Sequence, residues 1–377
     1  MRDPHPSAPP AERPEPAGSG GPARLVVVDD STFVRRTLRR IFRDAPGLSV
    51  VGEAGDGAEA IEKIAELAPD LVTLDIQMPG MDGLAALREI KARWPDLPVV
   101  VLASATRIGA GAAIEALSLG AIEFIDKSRC SSMDLHLLGT EIIEKVTAAL
   151  LGRRGVLPAE PSVPPAHRPV TGGVPGDVQI VCIGASTGGP QAIQIVLDRL
   201  PRSFPFPVVI VQHMPMGFTG AFAERLNHTS RLEVREADEG TFCRPGCVLI
   251  APAGRHLVLR EGRKGVTAGL TGEPSDASHI PSVDVLFSSA AEVFGRTAVG
   301  IVLSGMGSDG REGARALARR GAFVVAEAPE SCAVYGMPKA IVTAGLAQAV
   351  WTLSEIAENL GAAAAGRPLR PRKERPL

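Results

Sequence analysis

Short apolar runs alternate with helical patterns along the first part of the chain. The run RLVVVDD, residues 24–30, predicts a buried strand, and Ser31 stands where it can cap the helix that follows. That helix places its apolar residues on one face: Val34, Leu38, Ile41 and Phe42. Four more runs follow, namely LSVVGEA, LVTLDI, PVVVLAS and AIEFIDK. This alternation predicts a parallel, doubly wound α/β sheet of five strands, with ligands at the carboxyl ends of the strands.

The second part of the chain repeats the alternation with different strand endings. The apolar run VQIVCI leads into IGASTGGP, FPVVIVQHMP ends in a histidine, and TAVGIVLSGMGSDG ends in glycine-rich turns around an aspartate. Helical patterns follow these runs, one of them from about Thr219 to Leu226 and another over REGARALARR. We therefore predict a second doubly wound domain, Rossmann-like, with a mainly parallel sheet.

Three segments are too rich in proline, glycine or charge to bury an apolar core. They are predicted to be a disordered extension over 1–23, a flexible linker over 151–177 and a basic disordered tail over 363–377. The two predicted domains lie between them, at 24–150 and 178–362.

Composition narrows the class of protein. With 377 residues, 45% hydrophobic and 22% charged, the chain is globular, and a net charge of −2 gives no overall footprint for nucleic acid. There is no apolar stretch of about 18 residues, so we expect no membrane insertion. The N-terminus has no signal-peptide core, and the five cysteines suit a reducing compartment, so we expect a cytoplasmic protein. In CRPGC, Cys243 and Cys247 are interpreted as turn residues, with zinc as the weaker alternative.

Acidic and basic side chains end the strands of the first domain. Asp29 and Asp30 follow the first strand, Asp75 the third, Ser104 the fourth and Lys127 the fifth. Carboxylates that converge on one rim repel one another unless a cation lies between them, and oxygen ligands suit Mg²⁺. The alternative is that each strand-end acid caps the next helix. That alternative explains a single residue better than it explains the whole set.

Three polar residues of different type follow strands of the second domain: Ser186, His213 and Asp309. In a parallel sheet they can meet on one rim, where they form the constellation for nucleophilic acyl transfer. Their order differs from the Ser…Asp…His order of α/β-hydrolases, so G-x-S-x-G is not evidence for that fold. Each residue has a structural alternative: Ser186 as a helix cap, His213 as a core histidine, Asp309 as a turn residue.

The glycines of IGASTGGP permit a tight turn and direct backbone N–H groups towards a developing oxyanion. A phosphate-binding loop is the weaker interpretation, because the stretch lacks the lysine of a P-loop and does not match G-x-G-x-x-G.

The motifs VVVDDS, LVTLDIQMPGMDG, VVVLASAT and GAIEFIDK resemble the receiver domain of bacterial response regulators, a flavodoxin-like fold. The resemblance implies that Asp75 accepts a phosphoryl group from a histidine kinase, and that Asp29 and Asp30, with Asp75, hold the required Mg²⁺. It further implies that Ser104 senses the acyl phosphate and that Lys127 pairs with it. Family members usually have proline after this lysine, where this chain has Ser128.

The second region resembles the catalytic domain of chemotaxis protein-glutamate methylesterases through IGASTGGP, VQHMPMGFTGAFAERLN, PGCVLIAPAGRH, HIPSVDVLFSSAA, LSGMGSDGREGA and VYGMPKA. The resemblance implies that Ser186 is the nucleophile, His213 the general acid/base and Asp309 its orienting carboxylate. Backbone groups of Met306 and Thr187 would stabilise the oxyanion. Met216 and Glu327 depart from the family pattern, and we expect them to tune substrate fit.

Both resemblances together imply hydrolysis of glutamate γ-methyl esters on chemoreceptors, which releases methanol, and deamidation of receptor glutamines. The expected partners are methyl-accepting receptors and a chemotaxis histidine kinase, with recruitment to membrane receptor arrays and no nucleic acid. The esterase reaction would need no cofactor. The receiver would inhibit the catalytic domain until Asp75 is phosphorylated. Two rival hypotheses are a scaffold without enzymatic activity and a DNA-binding regulator, which would need a basic recognition helix after the linker.

Overall fold

The structure is a computed structural model. It describes residues 21–127, 135–154 and 177–369, so most of the three predicted unpacked segments lies outside the described residues. The chain divides into two compact units, and two parallel sheets form its framework. In the described ranges every helix is too short or too polar to cross a membrane.

Residues 21–154 contain the five predicted strands, each followed by a helix. The strands are β1 (Ala23–Val28), β2 (Leu48–Ala54), β3 (Leu71–Asp75), β4 (Val99–Ala103) and β5 (Glu123–Asp126). The helices are α1 (Thr32–Arg43), α2 (Gly57–Leu67), α3 (Gly83–Arg93), α4 (Arg107–Ser118) and α5 (Leu135–Arg154). All pairs are parallel in the order β2-β1-β3-β4-β5, which is the flavodoxin-like order and confirms the predicted fold class.

The apolar runs become strands because helices cover both faces of the sheet, which leaves no solvent face to mark with polar residues. Leu25 to Val28 of β1 are fully buried. Leu38 and Phe42 of α1 pack into the same core, and Ser31 caps α1 by accepting a hydrogen bond from Val34 N.

The second sheet has seven strands. The strands of this sheet are β6 (Ile180–Ala185), β7 (Val208–Gln212), β8 (Glu233–Glu236), β9 (Cys247–Ile250), β12 (Ala298–Val302), β13 (Phe323–Glu327) and β14 (Ala349–Trp351). A separate hairpin contains β10 (His256–Gly262) and β11 (Gly265–Thr271). The helices are α6 (Gly189–Asp198), α7 (Thr219–Thr229), α8 (Val283–Val293), α9 (Arg311–Arg319), α10 (Met337–Thr343) and α11 (Leu353–Ala364).

The order in this sheet is β14-β13-β12-β6-β7-β9-β8, again with parallel pairs throughout. β10 and β11 form the hairpin, which is antiparallel and was not predicted. The central strand β6 pairs with β7 on one side and β12 on the other. Strand order therefore reverses direction at β6, which is the position where doubly wound sheets bind their ligands.

The described ends of the predicted unpacked segments are partly regular. α5 continues to Arg154, past the predicted start of the linker at 151. α11 continues to Ala364, and Leu369 beyond it is buried. The residues of both extensions are good helix formers or make apolar contacts, and a domain boundary drawn from composition alone does not detect either property.

Candidate functional site

Ser186, His213 and Asp309 each follow one of three adjacent strands. Ser186 comes directly after β6, His213 directly after β7, and Asp309 lies in the loop after β12. Backbone hydrogen bonds join these strand ends, because His213 N donates to Ala185 O at 3.0 Å and Ser186 N donates to Ser304 O at 2.9 Å. The three predicted catalytic residues therefore share one rim of the sheet.

His213 and Asp309 are in direct contact. The distance from His213 Nε2 to Asp309 Oδ2 is 2.8 Å, and both side chains are about nine-tenths buried or more, at 7% and 10% exposure. This contact joins residues that are 96 positions apart in the chain. The alternative of a core histidine that is satisfied by the backbone does not describe this side chain.

Asp309 is surrounded by hydrogen-bond donors. Its two oxygens accept from Ser282 Oγ, Val283 N, Asp284 N and Gly310 N at 2.8–3.0 Å, in addition to His213. Burial alone would raise the pKa of Asp309, but the hydrogen bond and charge of His213 and the backbone donors of α8 together hold it well below its usual range. The carboxylate is therefore a permanent anion at neutral pH.

The charge on Asp309 fixes the tautomer of His213. A carboxylate only accepts hydrogen bonds, so Nε2 of the imidazole must carry the proton that faces Asp309. In the neutral ring the lone pair then belongs to Nδ1. This atom is buried and has no hydrogen-bond partner in the described part of the chain. The site thus contains an unengaged imidazole base on the rim that carries Ser186.

The turn at Ser186 is too tight for side chains at two neighbouring positions. Gly188 has a φ of +75°, and a Cβ there would lie 2.4 Å from Ala333 Cβ. A Cβ on Gly305 would lie 2.8 Å from Ser186 Cβ. The N-cap of α6 is Gly188, without any side-chain cap, so Ser186 is not the capping residue that the alternative interpretation required.

Met306 and Thr187 flank the serine turn. Met306 lies in the glycine-rich loop whose Gly305 approaches Ser186, and Thr187 is the next residue after the serine. In the described structure neither backbone N–H is used in a hydrogen bond. Two unpaired N–H donors next to a serine hydroxyl are the groups that an oxyanion hole requires.

Three residues that support this site were not predicted from the sequence. Gln212 Nε2 donates to the carbonyl oxygens of both Ser186 and His213, at 2.8 and 3.1 Å, and so joins the two strand ends. The His279 ring stacks on His213 with centroids 4.1 Å apart. Burial, followed by the charge of His213, lowers the pKa of His279 to about 4, so this ring is neutral. Ser282 is the third, through its bond to Asp309.

Their sequence signals were weak. Gln212 is the last residue of a strand, and Ser282 precedes α8 in the position of an ordinary N-cap. Its hydroxyl instead bonds Asp309, which supplies the carboxylate at the N-terminus of α8. A helix cap supplied from 26 residues away cannot be inferred from local spacing.

The two departures from the family pattern occupy different environments. Met216 is 71% exposed. Glu327 is fully buried, accepts hydrogen bonds from Ser304 N at 2.7 Å and Ser331 Oγ at 2.9 Å, and therefore lies behind the loop that contacts Ser186 rather than on its surface. Burial raises the pKa of Glu327. Its position favours a role in loop geometry over direct substrate contact.

On the other sheet, Asp29, Asp75 and Lys127 are brought together. Lys127 Nζ hydrogen-bonds Asp75 Oδ2 and lies 3.9 Å from Asp29 Oδ2. Both aspartates are fully buried, whereas Asp30 is exposed. Burial, followed by the charge of Asp75, raises the pKa of Asp29 to about 6, and burial also raises the pKa of Asp75 against the opposing effect of Lys127.

These acids do not cap the following helices. Ser31 caps α1, and Asp82 caps α3 by accepting from Ala85 N at 2.8 Å. Among the described residues Asp29 Oδ2 is buried without a hydrogen-bond partner, and ligand atoms of Asp29, Asp30 and Asp75 lie within 4.8 Å of one another. An orphaned carboxylate oxygen among three acids fits a hard divalent cation. Ser104 follows β4 directly, and its hydroxyl lies 3.2 Å from Thr106 Oγ1.

A second group with metal-ligand spacing is His213, His279 and Asp309. The two imidazole planes differ by only 2° and are stacked, so their in-plane lone pairs lie in parallel layers and do not converge on one ion. The pKa of the Cys243 thiol is raised by burial to about 12 and that of Cys247 is also raised, which favours protonated thiols over zinc ligands.

The fold and the side chains fit one class of protein: a hydrolase domain that follows a response-regulator-type receiver domain. Two family models match the chain, "CheB methylesterase" over residues 181–360 and "Response regulator receiver domain" over residues 25–136. The chain belongs to the CheB methylesterase family.

Three relatives extend these matches over most of the chain. The protein-glutamate methylesterase/protein-glutamine glutaminase 1 of Oleidesulfovibrio alaskensis is 42% identical, covering 89% of this chain and 97% of the relative. The Halalkalibacterium halodurans protein of the same name, without a number, is 41% identical, covering 89% and 97%. The Myxococcus xanthus relative, which has the same name with the number 5, is 44% identical, covering 86% of this chain and 93% of the relative.

Proposed function

We propose that this chain hydrolyses glutamate γ-methyl esters on chemoreceptors, and deamidates receptor glutamines, under control of phosphorylation at Asp75. The enzyme class agrees with the family and with the names of its relatives. The observation that carries the mechanism concerns His213: its buried Nδ1 has no hydrogen-bond partner in the ranges that the structure describes, and its other ring nitrogen bonds the permanent anion Asp309.

In the proposed first step, Ser186 Oγ attacks the ester carbonyl while His213 Nδ1 takes the hydroxyl proton. The carbonyl oxygen becomes an oxyanion, which the N–H groups of Met306 and Thr187 stabilise. As the carbonyl re-forms, the bond to the methoxy oxygen breaks, and His213 returns the proton so that methanol leaves. An acyl-enzyme then joins the receptor glutamyl group to Ser186.

In the second step, water attacks the acyl-enzyme while His213 takes one of its protons. The serine leaves with that proton, and the glutamic acid formed on the receptor loses the remaining water proton to solvent to become a carboxylate. Asp309 stabilises the imidazolium in both steps and stays ionised itself. A glutamine side chain follows the same route with ammonia in place of methanol, which accounts for the second activity.

The regulatory step begins at Asp75, which would attack the phosphorus of a phosphohistidine on a chemotaxis histidine kinase. Its carboxylate oxygen forms the new bond as the bond from phosphorus to the histidine nitrogen breaks. Lys127 holds the acceptor carboxylate and offsets charge on the phosphoryl group. Asp29, Asp30 and Asp75 would hold Mg²⁺, which when bound offsets the remaining negative charge. We infer that Ser104 contacts the acyl phosphate and that phosphorylation relieves inhibition of the catalytic domain.

The decisive experiment replaces Ser186 with alanine in the full chain. Methanol release from methylated receptor membranes, measured with acetyl phosphate present, should fall by about 10³-fold or more, while receptor sedimentation with the protein is retained. Ser308→Ala is the matched control, since Ser308 is an exposed serine on the same rim. It should change release by less than about twofold. Unchanged release in Ser186→Ala would refute this nucleophile and favour the scaffold hypothesis.

A further inference from the structure

Helix α1 carries a stripe of exposed arginines on the face opposite its buried residues. Arg36, Arg39, Arg40 and Arg43 are spaced at i, i+3, i+4 and i+7, so their side chains lie next to one another on one face. All four are exposed. This concentration of positive charge is hidden in the net charge of −2 of the whole chain.

Nearby carboxylates neutralise only part of the stripe. Arg39 lies 3.3 Å from Glu53, and Arg43 lies 3.4 Å from its neighbour Asp44. Arg36 and Arg40 have no carboxylate partner among the described residues. Like charges at this spacing destabilise a helix by a few tenths of a kcal/mol per pair, so the stripe does not serve the stability of α1.

The arginines form one wall of a groove of about 550 Å³. The other wall is the start of β2, residues 48–50. In the described structure β2 is the end strand of its sheet and pairs only with β1. Ala23 N donates to Gly47 O, and because a parallel strand directs alternate residues to its partner, Val50 turns its N–H and C=O away from β1 and along the open edge.

We propose that this groove binds an extended acidic segment of a partner protein, which adds to β2 as a further strand. Its backbone would bond the open edge, and its carboxylates would meet the guanidinium groups, which bind carboxylates in a bidentate manner. From Arg36 to Arg43 the helix rises about 10 Å. Three or four residues of an extended chain cover that length at about 3.3 Å each.

The shape of the groove and the sequence of the chain identify the occupant. The backbone of a nucleic acid cannot form a β-ladder, so it cannot pair with the free strand edge. A flat membrane surface does not match a recessed groove. The chain's own segments outside the described residues contain no two adjacent acidic residues. The acidic segment therefore comes from another molecule.

The test uses the full chain and a fluorescein-labelled hexaglutamate peptide, with binding followed by fluorescence anisotropy at about 20 mM salt. Arg36→Glu combined with Arg40→Glu should weaken binding by about tenfold or more. Arg319→Glu combined with Arg320→Glu is the matched control, because these exposed arginines give the same change of charge on α9 and just after it. The control should weaken binding by less than about threefold.

A peptide with a modified backbone tests the binding mode, and methanol release tests the folding of the variants. A hexaglutamate with N-methylated backbone amides keeps its charge but cannot pair with β2, and it should bind about tenfold more weakly. Basal methanol release of both double variants should match the parent, which excludes misfolding. Equal losses in the two double variants, equal binding of the methylated peptide, or tighter binding of a single-stranded oligonucleotide than of hexaglutamate would each overturn the proposal.

Discussion

Asp75 is a fully buried aspartate at the end of β3, and Asp309 lies in the loop after β12 with its side chain 10% exposed, yet their surroundings shift the pKa in opposite directions. Asp309 accepts hydrogen bonds from five donors, which lower its pKa despite burial. Within the described part of the chain, Asp75 accepts from Lys127 Nζ and Gln77 N only; it lies among other acids and has a raised pKa. Burial acts on both, so the difference comes from the hydrogen bond and charge of His213 and the backbone donors at Asp309, against fewer donors and a neighbouring acid at Asp75.

This difference supports the proposed roles of Asp309 as an orienting carboxylate and of Asp75 as a reactive one. The lone pairs of Asp309 are occupied, so it can hold and stabilise His213 but has little capacity to attack a substrate. Asp75 has unsatisfied acceptor capacity in a site of excess negative charge. Such a site gains from a cation and can add a phosphoryl group that the lysine pairs.

The largest expected effect comes from removing the charge at the fully satisfied carboxylate. Asp309→Asn loses the anion that fixes the tautomer of His213, and kcat for methanol release should fall by about 10³–10⁴-fold. The control is Asp284→Asn, since Asp284 is a half-buried neighbour of Asp309 whose carboxylate bonds Gly313 N rather than His213. It should lower kcat by less than about tenfold. Similar losses in both variants would mean that Asp309 acts through packing alone.

Removing a carboxylate charge from the acidic rim should stabilise the protein, whereas removing the charge of Asp309 impairs catalysis. The pKa of Asp29 is raised to about 6, so the folded state binds its proton more tightly than the unfolded state does. The free energy of unfolding of the parent should therefore decline as pH rises from about 4 to about 6, and Asp29→Asn removes that decline. At pH above 7 the variant should be more stable by on the order of 1 kcal/mol.

Urea unfolding at acidic and neutral pH measures this gain, and Mg²⁺ should stabilise the parent more than the variant. Asp30→Asn is the control, because Asp30 is exposed and its charge is the smallest of the causes that raise the pKa of Asp29, so it should give a smaller gain than Asp29→Asn in the absence of Mg²⁺. A gain for Asp29→Asn at pH 4 that vanishes at neutral pH would contradict the account.

Glu327 tests whether a buried carboxylate next to the catalytic rim needs its charge. In Glu327→Gln the side-chain oxygen still accepts from Ser304 N, so kcat should stay within about threefold of the parent. Because burial raises the pKa of Glu327, the parent loses stability as pH rises above about 4.5, and the variant does not. The stability difference should thus grow with pH, by about 1 kcal/mol or less.

Thermal or urea unfolding across the pH range checks this, with the exposed Glu330→Gln as the control. A fall in kcat of about tenfold or more for Glu327→Gln would show that the charge itself supports the loop beside Ser186.

The sequence predicted the two parallel sheets because strands covered on both faces appear as unbroken apolar runs. It also placed Ser186, His213 and Asp309 at strand ends, which the adjacency of β12, β6 and β7 brings to one rim. The β10–β11 hairpin was missed because its strands, which do not belong to the large sheet, have mixed burial instead of a continuous apolar run. The sequence pattern also could not show how the strand-end acids differ from one another in burial and pKa.

Gln212, Ser282 and His279 show why the remaining part of the site could not be predicted. Gln212 reaches a carbonyl 26 residues earlier, and Ser282 bonds an aspartate 27 residues later. His279 contacts His213 through ring stacking, for which one-dimensional spacing gives no signal. The same limit applies to the arginine stripe, whose spacing is visible in the sequence but whose groove requires the open edge of β2.

The central claim is that phosphorylation of Asp75 controls the activity, while the site of Ser186, His213 and Asp309 performs the hydrolysis. The most direct measurement is methanol release from methylated receptors, with and without acetyl phosphate, for the parent and for Asp75→Asn in the full chain. We expect acetyl phosphate to accelerate release by the parent by about tenfold, while Asp75→Asn stays at the basal rate of the unphosphorylated parent. Equal acceleration of both proteins would contradict the assignment of Asp75, and no acceleration of the parent would contradict the regulation itself.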